Sequence, residues 1–229
     1  MIFSIECESL IGDIHKSRKM LNQDAYYFDY NESVACLCIA DGAGSKKYSH
    51  LGAAALTKDI CRYLMQFSSD FFSSDYSEHR IKKRITEEIS NCLMKTSKLA
   101  NVCFSELAST LMFIITNGYE YILGHLGDGV ILAQRSATVN VLSFPENGKT
   151  YSETFLTSMP DIWNYIKIEK KQCASIESLW VMTDGTMFKV FQDNFVLPEN
   201  RLTMNLIKNR LNNSHKDDAT FGCISWRNE

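Results

Sequence analysis

Along the 229-residue chain, apolar residues alternate with polar ones or run together in short blocks far more often than they recur at helical spacing. Strands are expected at Ile2 to Cys7, Ala25 to Tyr30, Val34 to Ala40, Thr110 to Thr116, Tyr119 to Leu126, Val130 to Arg135, Asn140 to Ser143, Tyr165 to Glu169, Leu179 to Thr183 and Gly222 to Trp226. Asn117-Gly118 reads as a two-residue hairpin turn. Helical spacing is confined to Leu51 to Phe67, Ile81 to Leu99 and Glu199 to Leu211. The polar stretch Ser68 to Glu78, with its aromatic insertions, reads as a loop between two helices. Phe144 to Trp163 carries two of the three prolines and reads as a long ordered loop of the kind that borders active sites. Many strands around a central helical pair indicate an α+β fold with mainly antiparallel sheets. No Pro/Gly/Ser-rich stretch divides the chain, so one domain is expected over residues 1–229.

The acidic residues sit at particular places in this pattern. Three apolar runs end in Asp-Gly: Val34 to Ala40 before Asp41-Gly42, Tyr121 to Leu126 before Gly127-Asp128-Gly129, and Leu179 to Thr183 before Asp184-Gly185. A fourth site, Asp217-Asp218, precedes the run Phe221 to Trp226. A single Asp-Gly is an ordinary turn dipeptide. Repeated at successive strand ends, it puts rigidly held carboxylates beside glycines that admit a close approach of backbone or ligand. Carboxylates gathered at one end of a sheet repel one another unless they are protonated or bridged by cations. A divalent metal cluster is the simplest way to hold them.

Charge and cysteine content narrow the classes. A net charge of −3 and the lack of any basic block argue against nucleic acid as a partner. The opening MIFSIECESLIGD has acids where a signal peptide has a basic region, and no run approaches the roughly 20 apolar residues of a membrane span. A cytoplasmic protein is expected. The eight cysteines are scattered without CxxC pairs, mostly inside apolar runs, as buried free thiols are. None is followed six residues later by Arg, so the cysteine-nucleophile phosphatase signature is missing.

In order, the chain carries Asn22-Gln23-Asp24-Ala25, Ala40-Asp41-Gly42-Ala43-Gly44, Gly127-Asp128-Gly129, Thr183-Asp184-Gly185 and Asp217-Asp218-Ala219-Thr220. This series resembles the metal-dependent serine/threonine protein phosphatases of the PP2C (PPM) family over essentially the whole chain. His15, nine residues before Asp24, and Glu153-Thr154-Phe155-Leu156-Thr157-Ser158 are similar to the compact bacterial branch. The resemblance implies two central antiparallel sheets flanked by helices and a two-metal centre of Mg²⁺ or Mn²⁺. It implies that Asp41 bridges both ions, that the Gly42 carbonyl binds one, and that Asp184 and Asp217 complete the other. Asp24 would hold a metal-bound water, and Asp128 with Asp184 a third, weaker ion. The implied substrate is a phosphoserine or phosphothreonine protein, attacked directly by a metal-bridging water, with a kinase as a natural counterpart and the enzyme a monomer. Independently, hard divalent ions favour such an oxygen-only ligand set, and two of them about 3.5 to 4 Å apart acidify a shared water.

A phosphate also calls for a cationic group. Many relatives place Arg five residues before the position of Asp24, where this chain has Lys19. Of the segment His15-Lys16-Ser17-Arg18-Lys19, His15 and Arg18 are the expected phosphate ligands. Ala43 stands where animal-type relatives have a histidine thought to act as acid, leaving water, His15, His50 or unassisted departure of the alkoxide. His125, inside a strand, reads as a sheet residue. Gln23 replaces a common Glu and lowers the charge of the site. Two other functions fit the same residues: a pseudophosphatase that only binds a phosphorylated partner, and a phosphatase of a small phosphorylated metabolite. Only about thirty residues lie between Asp184 and Asp217, so the usual flap is expected to be short.

Overall fold

The computed structural model describes residues 1–136, 138–146, 154–192, 197, 200–212 and 214–227. Among them, ten strands form two antiparallel sheets of five. The first sheet contains β1 (Ile2–Leu10), β10 (Ala219–Arg227), β9 (Ser178–Met182), β6 (Val130–Arg135) and β7 (Thr138–Ser143), in that order. The second contains β2 (Ala25–Tyr30), β3 (Ala35–Ala40), β4 (Leu111–Thr116), β5 (Glu120–Leu126) and β8 (Lys167–Gln172). Two helices, α2 (Ser49–Gln66) and α4 (Glu78–Ala100), cover the outer face of the second sheet, and α5 (Asp184–Val190) with α6 (Met204–Leu211) covers the first. Shorter helices are α1 (Asp13–Ser17) and α3 (Ser68–Phe72).

The period of two along each strand explains why the apolar runs are continuous. On β3, Cys36 and Cys38 face the helices while Leu37 and Ile39 face the other sheet, and β4 splits Leu111, Phe113 and Ile115 from Met112 and Ile114 in the same way. On the first sheet, Leu179 and Val181 enter the layer between the sheets, whereas Trp180 and Met182 meet α5 and α6. Each fully buried aliphatic side chain contributes about 1.5–3 kcal/mol, so both faces of these strands stabilise the sandwich. The helices show their own period: Ile81, Ile85, Ile89 and Leu93 form one buried stripe on α4, which opens on Ser77 accepting from Arg80 N and closes on left-handed Asn101.

Several boundaries differ from the sequence reading. Ser68 to Glu78 is not simply a loop, because α3 buries Phe71 and the guanidinium of Arg84 packs on the rings of Phe67, Phe71, Tyr63 and Tyr76. The aromatic insertions join the helix-side core, with Phe71 buried in it and Phe72 and Tyr76 packed against it. Helix α6 begins at Met204, where the Thr203 side chain accepts from Leu206 N, and part of the expected Glu199 start lies outside the described residues. Strand β8 is Lys167–Gln172 rather than Tyr165 to Glu169; as an edge strand rich in lysine it carries little alternation to read. The Asn117-Gly118 turn is longer than two residues, since Thr116 pairs with Tyr121 and Asn117 Oδ1 accepts from both Tyr119 N and Glu120 N. Of the expected loop 144–163, residues 147–153 lie outside the described residues. No described helix is long and apolar enough to cross a membrane.

At one point helix and loop touch closely: a Cβ on Gly52 of α2 would lie 1.9 Å from the Leu107 carbonyl oxygen. Gly52→Ala is therefore expected to destabilise by about 1–3 kcal/mol. The control, Gly44→Ala, would meet nothing nearer than Gln23 Oε1 at 3.9 Å. Thermal melts should show a fall of at least about 3 °C for Gly52→Ala and little change for Gly44→Ala; equal melts would mean that α2 is not seated as described.

Candidate functional site

Antiparallel order brings the acidic strand ends together. Strands β3, β5 and β9 run toward the end of the sandwich where β2, β4, β6 and β10 begin. Asp24, Asp41, Asp128, Asp184 and Asp217 therefore occupy a single end, although up to 193 positions of chain separate them (217 − 24). There a cavity of about 520 Å³ is lined on its polar side by Asp41, Asp128, Asp217, Asp218, His15 and Gln23, and on another by Phe155, Leu156 and Met159.

Hydroxyl and amide groups set each carboxylate. Asp24 N donates to Asn22 Oδ1 at 2.9 Å, and Asn22 Nδ2 donates to Ser9 Oγ at 2.8 Å. Asp24 Oδ2 accepts from Thr183 Oγ1 at 3.0 Å, and the same hydroxyl accepts from Thr220 N. Asp41 N donates to Thr110 Oγ1 at 2.9 Å, Gly42 N to the Gln23 carbonyl at 3.1 Å, and Ala43 N to the Ala108 carbonyl at 3.0 Å. Thr154 Oγ1 donates to Asp128 Oδ2 at 2.6 Å. Asp184 opens α5 and accepts from Gly185 N at 2.6 Å. Asp217 Oδ1 accepts from Asp218 N at 2.9 Å.

Asp218 plays a different part from its neighbour. It is buried, and its carboxylate accepts from Gly12 N at 2.7 Å, Gln23 N at 2.6 Å and His15 Nδ1 at 2.8 Å. With both carboxylate oxygens engaged by these groups and Nδ1 of His15 turned to Asp218, Nε2 is the remaining polar atom of the His15 ring. Gly12 is needed for this approach, because a Cβ there would lie 2.4 Å from the Asp217 carbonyl carbon.

The cluster is electrostatically strained without cations. Burial, then the charges of Asp24, Asp184, Asp128 and Asp217, push the Asp41 carboxyl well above its usual range. Burial raises Asp24 to about 8, against hydrogen bonds from Thr220 and Thr183, and the charges of Asp218 and Asp184 add to the rise. Burial and the charges of Asp128 and Asp217 raise Asp184 to about 6. Two buried acceptors, Asp24 Oδ1 and Gln23 Oε1, have no partner. Oxygen-only donors, mutual repulsion and unpartnered buried acceptors fit hard divalent cations. The carboxylate oxygens are not gathered into a tight set: among the described residues, the grouping whose potential ligand atoms all lie within 4.8 Å is the thiol trio Cys36, Cys38 and Cys61 in the helix-side core.

The expected residues are thus distributed as follows. Asp41, Gly42, Asp128, Asp217 and His15 line the cavity; Asp24 and Asp184 are not among its lining residues but lie within electrostatic reach of Asp41. Arg18 is exposed at the C-terminus of α1 and is not among the lining residues. His50 lies in an adjoining groove. His125 hydrogen-bonds Ser143 Oγ through Nδ1, and burial pulls its pKa down to about 4, so it is a neutral sheet residue. Glu153 lies outside the described residues. The sequence reading named Asp218, Thr183 and Thr154 within motifs but gave them no role; their signal was adjacency, a doubled acid and hydroxyls beside acidic motifs.

A family model described as Protein phosphatase 2C matches residues 11–219. No curated protein sequence matches the chain. Among solved structures, the chain is similar to a bacterial serine phosphatase (TM-score 0.70, 15% identity, covering 100% of this chain and 99% of that one). It is also similar to the serine/threonine phosphatase Stp1 from Staphylococcus aureus (TM-score 0.71, 14% identity, 100% and 96% covered). A third is the catalytic domain of the serine threonine protein phosphatase PstP in complex with 2 manganese ions (TM-score 0.66, 13% identity, 97% of each chain). At these identities the structures share the fold.

The raised carboxyl groups set a pH dependence for the metal-free protein. Their folded pKa values exceed the unfolded value near 3.8, so the folded state holds more protons and stability falls as pH rises from about 4 through about 6 for Asp184 and about 8 for Asp24. Melts in chelator should show the melting temperature dropping between pH 5 and pH 8, and added Mn²⁺ should recover it most at the alkaline end, where fewer protons compete. A melting temperature insensitive to both pH and Mn²⁺ would contradict this electrostatic picture.

Proposed function

The chain belongs to the protein phosphatase 2C family, and we propose that it is a metal-dependent serine/threonine protein phosphatase whose chemistry is carried by Asp24, Asp41, Asp184 and Asp217. The observation that carries this reading is the convergence of those carboxylates at one end of the sandwich, around a cavity that Asp41 and Asp217 line, with the pKa values of Asp24, Asp41 and Asp184 raised by burial and by neighbouring carboxylates. Asp41, the Gly42 carbonyl, Asp184 and Asp217 would hold two Mg²⁺ or Mn²⁺ ions, with Asp24 acting through water and Asp128 joining Asp184 at a third position. The manganese in the PstP structure supports the choice of metal. Bound there, the ions would supply an acidified water as nucleophile and positive charge for the phosphoryl oxygens.

The chain's own residues do the rest. Thr183 and Thr154 fix the carboxylates of Asp24 and Asp128, and Thr110 the backbone of Asp41, before any ligand arrives, which lowers the reorganisation required during reaction. His15, pinned through Nδ1 by Asp218, presents its other ring nitrogen to the phosphate and its leaving oxygen. It takes precedence over His50 as the proton donor, since His50 does not line the acidic cavity. Phe155, Leu156 and Met159 give the apolar carbons of the phosphorylated side chain a wall to lie against. No cysteine lines the cavity, in keeping with hydrolysis that needs no phosphocysteine.

Purified protein should hydrolyse p-nitrophenyl phosphate with Mn²⁺ and lose that activity in EDTA; a protein that binds phosphopeptides without turnover would be a pseudophosphatase instead. Asp41→Asn is nearly isosteric and should cost at least about a hundredfold in rate, equivalent to roughly 2.7 kcal/mol. Near-normal turnover at saturating Mn²⁺ would remove Asp41 from its role.

The cationic residues give a separate test. His15→Ala should lower kcat/KM on a phosphopeptide by at least about tenfold, the lower range for losing a positioned acid. Arg18→Ala, which leaves the cavity lining intact, should cost no more than about threefold, as expected of an exposed charge. The reverse order would move the phosphate contact from His15 to Arg18.

A further inference from the structure

Beside the acidic cavity lies a second groove of about 420 Å³, and the two share Gln23, Gly44 and Ser45. Their charges are opposite. Among the described residues, the cavity is lined by Asp41, Asp128, Asp217 and Asp218 with no lysine or arginine, whereas the groove is lined by Lys46, Lys47 and His50 with no carboxylate. Both lie on one continuous surface, so a chain whose phosphorylated residue enters the cavity must run along or away from the basic wall.

The lysines are available for a ligand. Glu106 touches this segment: its Oε1 is 3.8 Å from Lys46 Nζ and its Oε2 accepts from the Lys47 backbone N–H. Both side chains of the Lys46–Glu106 pair are about one-third exposed, so the pair is a weak, solvent-screened one. Lys47 is exposed, with its ammonium 5.1 Å from the Tyr48 ring centroid. What the fold needs from Lys46 is its carbonyl, which accepts from Gln23 Nε2 and Ser49 Oγ. Nothing described requires the two ammonium groups in place. On the facing side, Leu21 is 66% exposed and offers an apolar contact beside the charges.

We propose that this groove binds acidic side chains flanking the phosphorylated residue, which makes the enzyme selective for phosphoserine or phosphothreonine in Asp/Glu-rich segments. The inference rests on the phosphatase reading for the nature of the substrate. Charge complementarity is its basis: Lys46 and Lys47 line a groove that shares residues with the cavity taking the phosphate, so acidic side chains flanking the phosphorylated residue meet a positive field there.

The test compares phosphopeptides carrying Glu, Ala or Lys at one, two or three residues on either side of the phosphoserine. At low ionic strength the Glu peptides should be favoured over the Ala peptides by about five- to twentyfold in kcat/KM, and the preference should shrink with added salt. The double variant Lys46→Ala/Lys47→Ala should reduce the preference to less than about twofold, within the range of residual screened charge, while hydrolysis of p-nitrophenyl phosphate stays unchanged. Lys46→Glu/Lys47→Glu should turn the preference toward the Lys peptides. Equal use of Glu and Ala peptides by the unmodified protein, or a preference that survives in the double alanine variant, would overturn the proposal. Binding of the same peptides, followed by fluorescence anisotropy, reads the groove without turnover. Absence of hydrolysis with selective, Lys46- and Lys47-dependent binding would reject the phosphatase reading and keep the groove; hydrolysis without selectivity would do the opposite.

Discussion

The buried carboxylate of Asp218 is the constraint on which the functional end of the molecule depends. Its three donors come from Gly12, His15 and Gln23, all near the beginning of the chain, whereas Asp218 immediately precedes the last strand. Hydrogen bonds to a charged acceptor are worth roughly 1.5–3 kcal/mol, and removing a buried partner leaves the others unsatisfied at further cost. The same contact sets Asp24, which follows Gln23, and Asp217, which precedes Asp218. One buried carboxylate whose hydrogen bonds are filled thereby positions its neighbours, of which Asp24 has its pKa pushed up by burial. That division of labour explains why two adjacent aspartates are present at this strand start: one supports the loop and the other faces the cavity.

Around this anchor the sandwich acts as a rigid frame. The doubly buried strands β3, β4 and β9 cannot slip by one residue without turning Leu37, Ile39 and Val181 out of the layer between the sheets. The register that fills the core therefore also fixes where Asp41 and Asp184 emerge. Stability and site geometry are coupled through β-sheet pairing, and the carboxylate repulsion is held in place by packing that lies mostly elsewhere.

Much of this arrangement was legible in the sequence, for identifiable reasons. Runs such as Val34 to Ala40 and Leu179 to Met182 are apolar at every position because both faces are covered, and the first leads directly, the second through Thr183, to an Asp-Gly that opens the site. Short helices were not legible: α1, α3 and α5 have five, five and seven residues, too few to show helical spacing. Strand β8 was displaced because Lys167, Lys170 and Lys171 hide its single buried position, Ile168. The role of Asp218 was out of reach for a different reason. Nothing in Asp217-Asp218 tells which carboxylate meets three N–H donors, because two of those donors lie more than 200 positions away.

The separation between an acidic cavity and a basic groove follows from the same loop. After Asp41 the chain leaves β3 through Gly42, is tied to Gln23 and Ala108, and reaches Lys46 and Lys47 before α2 starts at Ser49. Gln23 sits between the two regions, donating to the Lys46 carbonyl and to Ser49 Oγ while its own N–H reaches Asp218. A Glu at that position would add charge to an already repulsive cluster and would place an acceptor against the Lys46 carbonyl. The neutral amide avoids both effects. It keeps the basic segment docked against the acidic one through hydrogen bonds that do not depend on the lysine ammonium groups, so fields of opposite sign adjoin without cancelling.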